Sequence, residues 1–475
     1  MKILFVEDNN TFANDLQPSL ADLDNVSLID RFIYATDAID AAKKNLYDIV
    51  ILDLAIPYTK GDEKEEKEHG QAVFHEIQTN LPHTPILILT ASDPDQFTTK
   101  LVRYGHKIPI WGSREEVNTV DYFKKEETLE LIERVRYLAG ILAETNAVSL
   151  DTRGKDLSLS LQQTRAIKAF TRSAGGVSCG VSDLSGGLSS TRVLRTIARD
   201  EQGKALAVCA GKLGRIDDVR KEIDAYERHV KRLGIGAFSP AFCVLNQGLG
   251  QSAGIFYTLA EGDISLFSSI KSDLDTSLKA IDGVMHALDR WTQAAVNQSI
   301  KIQELRRRSL SDEALDRLRE EFDLSFIDKV EERTVRTAVS CVHGDLHGGN
   351  VLVGKEGNPV IIDFGDVGEG YAALDPVTLE LSLIFHPEAQ RLELNQCLVD
   401  LIEKWPAVDD YVQNNPYEKF INKCREWAHD VAAGDLDVLA CAYAFVLRQL
   451  KYKTVDSATT LKLLHSICQK ISRLY

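Results

Sequence analysis

A chain of 475 residues is longer than one hydrophobic core usually serves, so two or three domains are expected. Hydrophobic residues make up 44% and charged residues 27%, a globular balance that excludes a disordered or fibrous polypeptide. The formal net charge of -16 argues against nucleic acid as a partner, because binding there rests on lysines and arginines that neutralise phosphates.

The first eight residues, Met1 to Asp8, have one lysine, a short apolar run and then acids, which reads as a buried strand and not as a secretory signal. Further apolar runs follow at Val26 to Tyr34, Ile49 to Leu52 and Ile86 to Leu89, separated by helix-length segments. Short apolar runs alternating with helices are the pattern of a parallel sheet covered on both faces, a doubly wound α/β domain. Leu129, Ile132, Val135, Leu138 and Ile141 recur at helical spacing, so a last helix from Glu126 to Leu142 is expected to run on as a connector. The first domain then spans 1–142, with a linker helix region at 143–175 and a polar boundary near Asn146 to Gly154.

Glu7 and Asp8 end the first apolar run, and Asp53 ends the third. The carboxyl ends of parallel strands converge on one edge, so these acids should meet, and clustered carboxylates call for a divalent cation such as Mg2+. Thr90 and Lys125 fall at the same edge. The set resembles the CheY-like receiver family of response regulators. The resemblance implies a flavodoxin-like fold, Mg2+ held by Glu7, Asp8 and Asp53, a phosphoryl group on Asp53, and Thr90 and Lys125 as its switch residues. It also implies a histidine kinase as phosphodonor. Two departures stand out: an acidic insertion, Gly61 to Gly70, beside the phosphoacceptor, and Glu126 where the family usually has proline. A solvated loop is the simplest reading of the insertion.

A helical stretch from Leu161 to Thr171 precedes β character from Gly176 to about Ala260, with one helix at Asp217 to Leu233. Beyond Gly262 the chain reads as helical, except for a strand-loop-strand region from Val339 to Phe364. A kinase-like domain over 176–475 is expected, with a mixed small lobe at 176–261 and a helical large lobe at 262–475.

The strand-loop-strand region carries His343-Gly344-Asp345-Leu346-His347-Gly348-Gly349-Asn350 and then Ile361-Ile362-Asp363-Phe364-Gly365-Asp366. Phosphoryl transfer needs one carboxylate near the attacking hydroxyl and oxygen ligands for the metal ions. Asp345 suits the base, and Asn350 and Asp363 suit the metal. A metal held by His343 and His347 is the competing pattern, disfavoured by the Asp-Phe-Gly that follows. The pattern resembles the aminoglycoside phosphotransferase and choline kinase superfamily, relatives of the protein kinases. It implies a bilobal α+β fold, ATP as phosphodonor, Asp345 as catalytic base, and Asn350 and Asp363 as Mg2+ ligands.

In the preceding lobe, Gly186 and Gly187 stand in a turn that could bring backbone N–H groups to phosphates. Lys212 ends the apolar run Ala205 to Ala210, and Glu222 on the next helix is its expected ion-pair partner, with Glu227 in competition. Asp375 resembles the family's aspartate that starts a core helix and braces the catalytic loop, and helix capping alone would explain it equally well. Leu259-Ala260-Glu261-Gly262 is placed where a hinge would contact adenine.

The sequence thus predicts a two-component signalling protein in which a phosphorylatable receiver regulates an ATP- and Mg2+-dependent phosphotransferase. The acceptor is a hydroxyl on an unknown small molecule or protein. A pseudokinase scaffold and a transcription regulator compete with it; the four groups Lys212, Asp345, Asn350 and Asp363 oppose the first, and the lack of a basic recognition helix opposes the second. The 8 cysteines, Cys179, Cys209, Cys243, Cys341, Cys397, Cys424, Cys441 and Cys468, show no CxxC spacing, so reduced thiols are expected. No apolar run approaches the ~20 residues of a membrane span. A cytoplasmic protein with no membrane contact follows, and the connector helix leaves room for a homodimer.

Overall fold

The structure is a computed structural model that describes residues 1–62, 64–91, 106–184, 191–234, 236, 238–259 and 264–474. Five parallel strands, β1 (Lys2–Val6), β2 (Leu28–Phe32), β3 (Ile49–Asp53), β4 (Ile86–Thr90) and β5 (Val120–Lys124), form a sheet of order β2-β1-β3-β4-β5, the flavodoxin-like order. Helices α1 (Asn10–Ala21), α2 (Ala35–Lys44), α3 (Lys67–Asn80) and α4 (Thr128–Asn146) accompany it. Successive residues of β1 point to opposite faces: Ile3 and Phe5 pack with Leu131, Val135 and Leu138, whereas Leu4 and Val6 pack with Val73, Phe74 and Ile77. Each such fully buried side chain contributes about 1.5–3 kcal/mol, which is why a sheet covered on both faces reads as unbroken apolar runs.

A second sheet contains β6 (Ser149–Asp151), β7 (Ser178–Asp183), β8 (Arg192–Arg199), β9 (Ala205–Arg215), β10 (Ala241–Leu245) and β11 (Ser252–Thr258), in the order β6-β7-β8-β9-β11-β10. The polar stretch expected as a boundary is therefore partly a strand. Ser149–Asp151 pairs with β7, and the turn comes only afterwards, at Arg153 and Gly154 with φ of 52° and 75°. Helix α5 (Leu161–Ser173) starts with a capping box between Ser160 and Gln163, and its Ile167 and Phe170 pack against Cys179, Leu194 and Phe256 of the sheet. Helix α6 (Ile216–Arg228) follows β9.

Backbone packing divides the chain into two compact units, one of Met1–Val219 with Ala241–Thr258, the other of Arg220–Pro240 with Leu259–Tyr475. The second unit holds α7 (Leu274–Thr292), β12 (Val296–Lys301), β13 (Thr334–Val342), β14 (Val351–Val353), β15 (Pro359–Ile361), β16 (Gly368–Tyr371), α8 (Leu374–Phe385), α9 (Glu418–Val431), α10 (Asp435–Gln449) and α11 (Ser457–Arg473). It is less uniformly helical than its sequence suggests, because β12 and β16 flank β13 in a further sheet. Most of β12 is exposed, so its residues carry no apolar alternation for a reader to find. Helices α8 and α10 are buried almost all round, as the heart of this unit.

Among the described residues no helix is long and apolar enough to cross a membrane. All eight cysteines are free; burial pushes the thiols of Cys209 and Cys243 up to about 12.

Candidate functional site

Two groups of candidate side chains emerge. The first lies at the carboxyl edge of the parallel sheet, where β1 delivers Glu7 and Asp8 and β3 delivers Asp53. Ligand oxygens of these three carboxylates lie within 4.8 Å of one another. Lys125 Nζ stands 2.6 Å from Asp53 Oδ2 and 2.8 Å from Glu7 Oε2, and the Lys125 N–H donates to Thr90 O at 2.9 Å. Pairing of Thr90 with Lys124 across β4 and β5 thus brings the expected hydroxyl and ammonium to this edge.

Burial pushes the Glu7 and Asp53 carboxyls up, and Lys125 pulls both back. Burial alone would lower the Lys125 ammonium, but its bonds to Asp53 and Glu7 outweigh that and hold it up. Three carboxylates facing one ammonium leave negative charge over, and a hard divalent cation with oxygen preference fits that donor set. One neighbour, Arg31, carried no signal in the sequence, and the acidic insertion is more than a solvated loop. Arg31 Nε donates to Glu7 O at 3.1 Å, fixing the loop after β1. The acidic insertion folds back as a small hairpin, Ile56–Pro57 with Glu65–Glu66, and Asp8 raises the Glu65 carboxyl.

The second group is in the second unit. Strand β14 pairs antiparallel with β15, Val351 opposite Ile361, so Asn350 just before β14 and Asp363 just after β15 share one end of the hairpin. Ile362 N–H donates to Asn350 O at 3.0 Å and ties the two together. Asn350 Nδ2 donates to Asp345 O at 2.9 Å, which leaves the amide oxygen as a ligand atom. His343 serves the backbone: its Nε2–H donates to Ile362 O at 3.1 Å, and its Nδ1 accepts the Asp345 N–H at 3.4 Å. A ring nitrogen engaged on each side does not suit the His343–His347 metal pattern.

Asp375 starts α8, where its two oxygens accept the N–H groups of His343 and Gly344 at 2.7 and 3.0 Å. Gly344 has φ of 83°, and a Cβ there would meet Asp366 O at 2.6 Å, so only glycine fits the bend before Asp345. Asp363 has a left-handed φ of 64°. Surrounding protein pushes the Asp345 carboxyl up; Arg448 and His343 pull it back, and Asp363 adds to the rise. Arg448 from α10 and His386 after α8 are neighbours no motif announced, since both come from distant sequence.

Lys212 lies on β9, in register with Val193 and Ile255, and is buried; Glu222 lies on α6 and is also buried. Lys212 belongs to the first unit, whereas Glu222, Asp345, Asn350 and Asp363 belong to the second. Gly186, Gly187, Glu261 and Gly262 lie outside the described residues.

Compared with known proteins, the chain is similar to receivers in its N-terminal part and to aminoglycoside kinases in the remainder. The receiver domain of the Francisella response regulator 1452 is 21% identical, over 29% of this chain and 96% of its own, with a TM-score of 0.22. A thermostable mutant of aminoglycoside phosphotransferase APH(4)-Ia is 14% identical, over 62% of this chain and 94% of its own, at 0.37. The amicoumacin kinase hAmiN, solved with AMP-PNP, Ca2+ and Ami, is 14% identical, over 62% of this chain and 88% of its own, at 0.29. A family model described as Ternary complex associated domain 9 matches residues 313–403, which include Asp345, Asn350 and Asp363. No curated protein sequence matches the chain. These likenesses concern fold, and function rests on the sites.

Proposed function

We propose that the chain is an ATP- and Mg2+-dependent phosphotransferase acting on a hydroxyl acceptor and controlled by a receiver that carries a phosphoryl group on Asp53. The observation that carries the reading is the braced loop from His343 to Asn350, whose Asp345 would serve as proton acceptor beside Asn350 and Asp363, the two residues at one hairpin end that would supply oxygen ligands. In the proposed step the γ-phosphorus breaks its bond to the bridging oxygen of ADP and bonds to the acceptor oxygen. The hydroxyl proton passes to Asp345, and ADP leaves. Mg2+, when held by Asn350 and Asp363, would neutralise charge on the triphosphate. Lys212, Gly186 and Gly187 would hold the phosphates. In the receiver, Glu7, Asp8 and Asp53 would hold a second Mg2+, with a histidine kinase as phosphodonor.

Radiolabelled ATP incubated with the chain and a cell extract, resolved into protein and small-molecule products, tests the proposal. Label transfer that falls about 100- to 10,000-fold in Asp345→Asn supports it. Nucleotide binding without transfer under any condition sinks it in favour of a scaffold.

A further inference from the structure

The stretch expected to link the two halves is packed tightly against the receiver. Arg165 of α5 reaches Asp48, just before β3, at 2.7 Å with both side chains buried, and it also donates to Gly248 O at 3.2 Å. Trp111, 1% exposed, lies against Gly248, where a Cβ would stand 2.2 Å from the indole Nε1. A Cβ on Gly112 would stand 2.1 Å from Ala169 O of α5. Thr145, near the end of α4, donates to Trp111 O at 2.7 Å and accepts from Arg172 of α5 at 3.0 Å.

The same elements reach both sites of the first unit. Helix α4 begins just after Lys125, which touches Asp53, and its 19 residues span about 28 Å to the Thr145 end. On the other side of α5, Phe170 stacks on Phe256 with ring centroids 4.4 Å apart. The Phe256 ring leaves no room for a Cβ on Gly211, the neighbour of Lys212, which would come within 2.7 Å. Surfaces this closely packed shift as blocks and do not slide freely.

We infer that the phosphoryl state of Asp53 is transmitted to the strand of Lys212 through this packed joint, from α4 and Trp111 to α5 and from α5 to Phe256, and not by a swing of the receiver about a flexible linker. The inference rests on the proposed roles of Asp53 and Lys212. The joint uses Asp48, at the opposite end of the strands from Glu7 and Asp53, so the phosphoacceptor edge takes no part in it.

Backbone hydrogen exchange of the full chain, with Mg2+ and with or without beryllofluoride as phosphoryl mimic, tests the joint independently of turnover. Wild type should change exchange several-fold in residues 161–173 and 205–215 as well as in the receiver. Thr145→Val combined with Arg172→Ala should confine the change to the receiver, and Asp53→Asn should show none. A wild-type change confined to the receiver, or an undiminished change in α5 of the joint variant, overturns the inference. No wild-type change anywhere overturns it together with the phosphoacceptor. Turnover is measured in parallel: absence of phosphoryl transfer in every form sinks the enzyme reading, while the exchange pattern still decides the joint.

Discussion

Asp375 grips the backbone of His343 with one carboxylate oxygen, at 2.7 Å, and that of Gly344 with the other, at 3.0 Å. Burial pushes this carboxyl up, and the facing His343 and the two N–H groups pull it back. Asp375→Ala would leave two N–H groups without their acceptor, at a cost of about 1–3 kcal/mol each. A lower urea midpoint with an unchanged slope is expected, and a wild-type midpoint would refute the brace.

Asn350→Ala removes a loop hydrogen bond and, on the proposed reading, a metal ligand atom. Stability should drop by only about 1 kcal/mol, whereas the Mg2+ concentration needed for half-maximal turnover should rise several-fold. Turnover titrated against Mg2+ reads this out. An unchanged requirement would remove Asn350 from the metal site.

Without nucleotide, Mg2+ should stabilise the receiver, because on the proposed reading the folded Glu7, Asp8 and Asp53 cluster holds it and the unfolded chain does not. At ten times its Kd the gain is about 1.4 kcal/mol, visible in denaturant melts. The gain should vanish in Asp8→Ala. A variant that retains it would place the ion elsewhere.

Acid should weaken the second unit. Burial above all, aided by neighbouring positive charge and opposed by Asp363 and Asp345, holds His347 down to about 4 and His386 to about 3, with the two rings 4.3 Å apart. Folded values below the ordinary 6.5 mean that the unfolded chain takes up protons first, so the stability is complete above about pH 6.5 and is lost as pH falls towards 4. The loss is on the order of 1–3 kcal/mol, offset in part by the Asp345 carboxyl, which burial makes readier to take up a proton in the folded chain than in the unfolded one. Denaturation at a series of pH values should show a shallower slope for His386→Gln than for wild type.

Arg165→Ala leaves Asp48 charged and buried, which should cost about 3–5 kcal/mol. Replacing both partners with apolar residues, Asp48→Leu with Arg165→Met, should recover much of it. Equal losses in the single and double variants would mean that packing and not charge holds the contact.

The receiver was legible because strands buried on both faces read as apolar runs, and because Glu7, Asp8 and Asp53 follow directly from where those runs end. The loop from His343 to Asn350 was legible for a related reason: Asp345, Asn350 and Asp363 all sit within one hairpin and its lead-in. Asp375 resembled a bracing aspartate and could equally have been a helix cap; its two oxygens accept from His343 and Gly344. What escaped depends on chain brought together from afar. Trp111 meets Gly248, Arg448 and His386 come near Asp345, and no local spacing encodes either meeting. Ser149–Asp151 and Val296–Lys301 escaped because short or exposed strands have too few buried positions to show a period.

The Asp48–Arg165 pair has a practical corollary. The first 142 residues are not a detachable cassette: excising them would part the Arg165 guanidinium from the Asp48 carboxylate and bare the Trp111 indole to water. Grafting a foreign receiver onto this kinase-like body would require rewriting α5 and the turn at Gly248 as well.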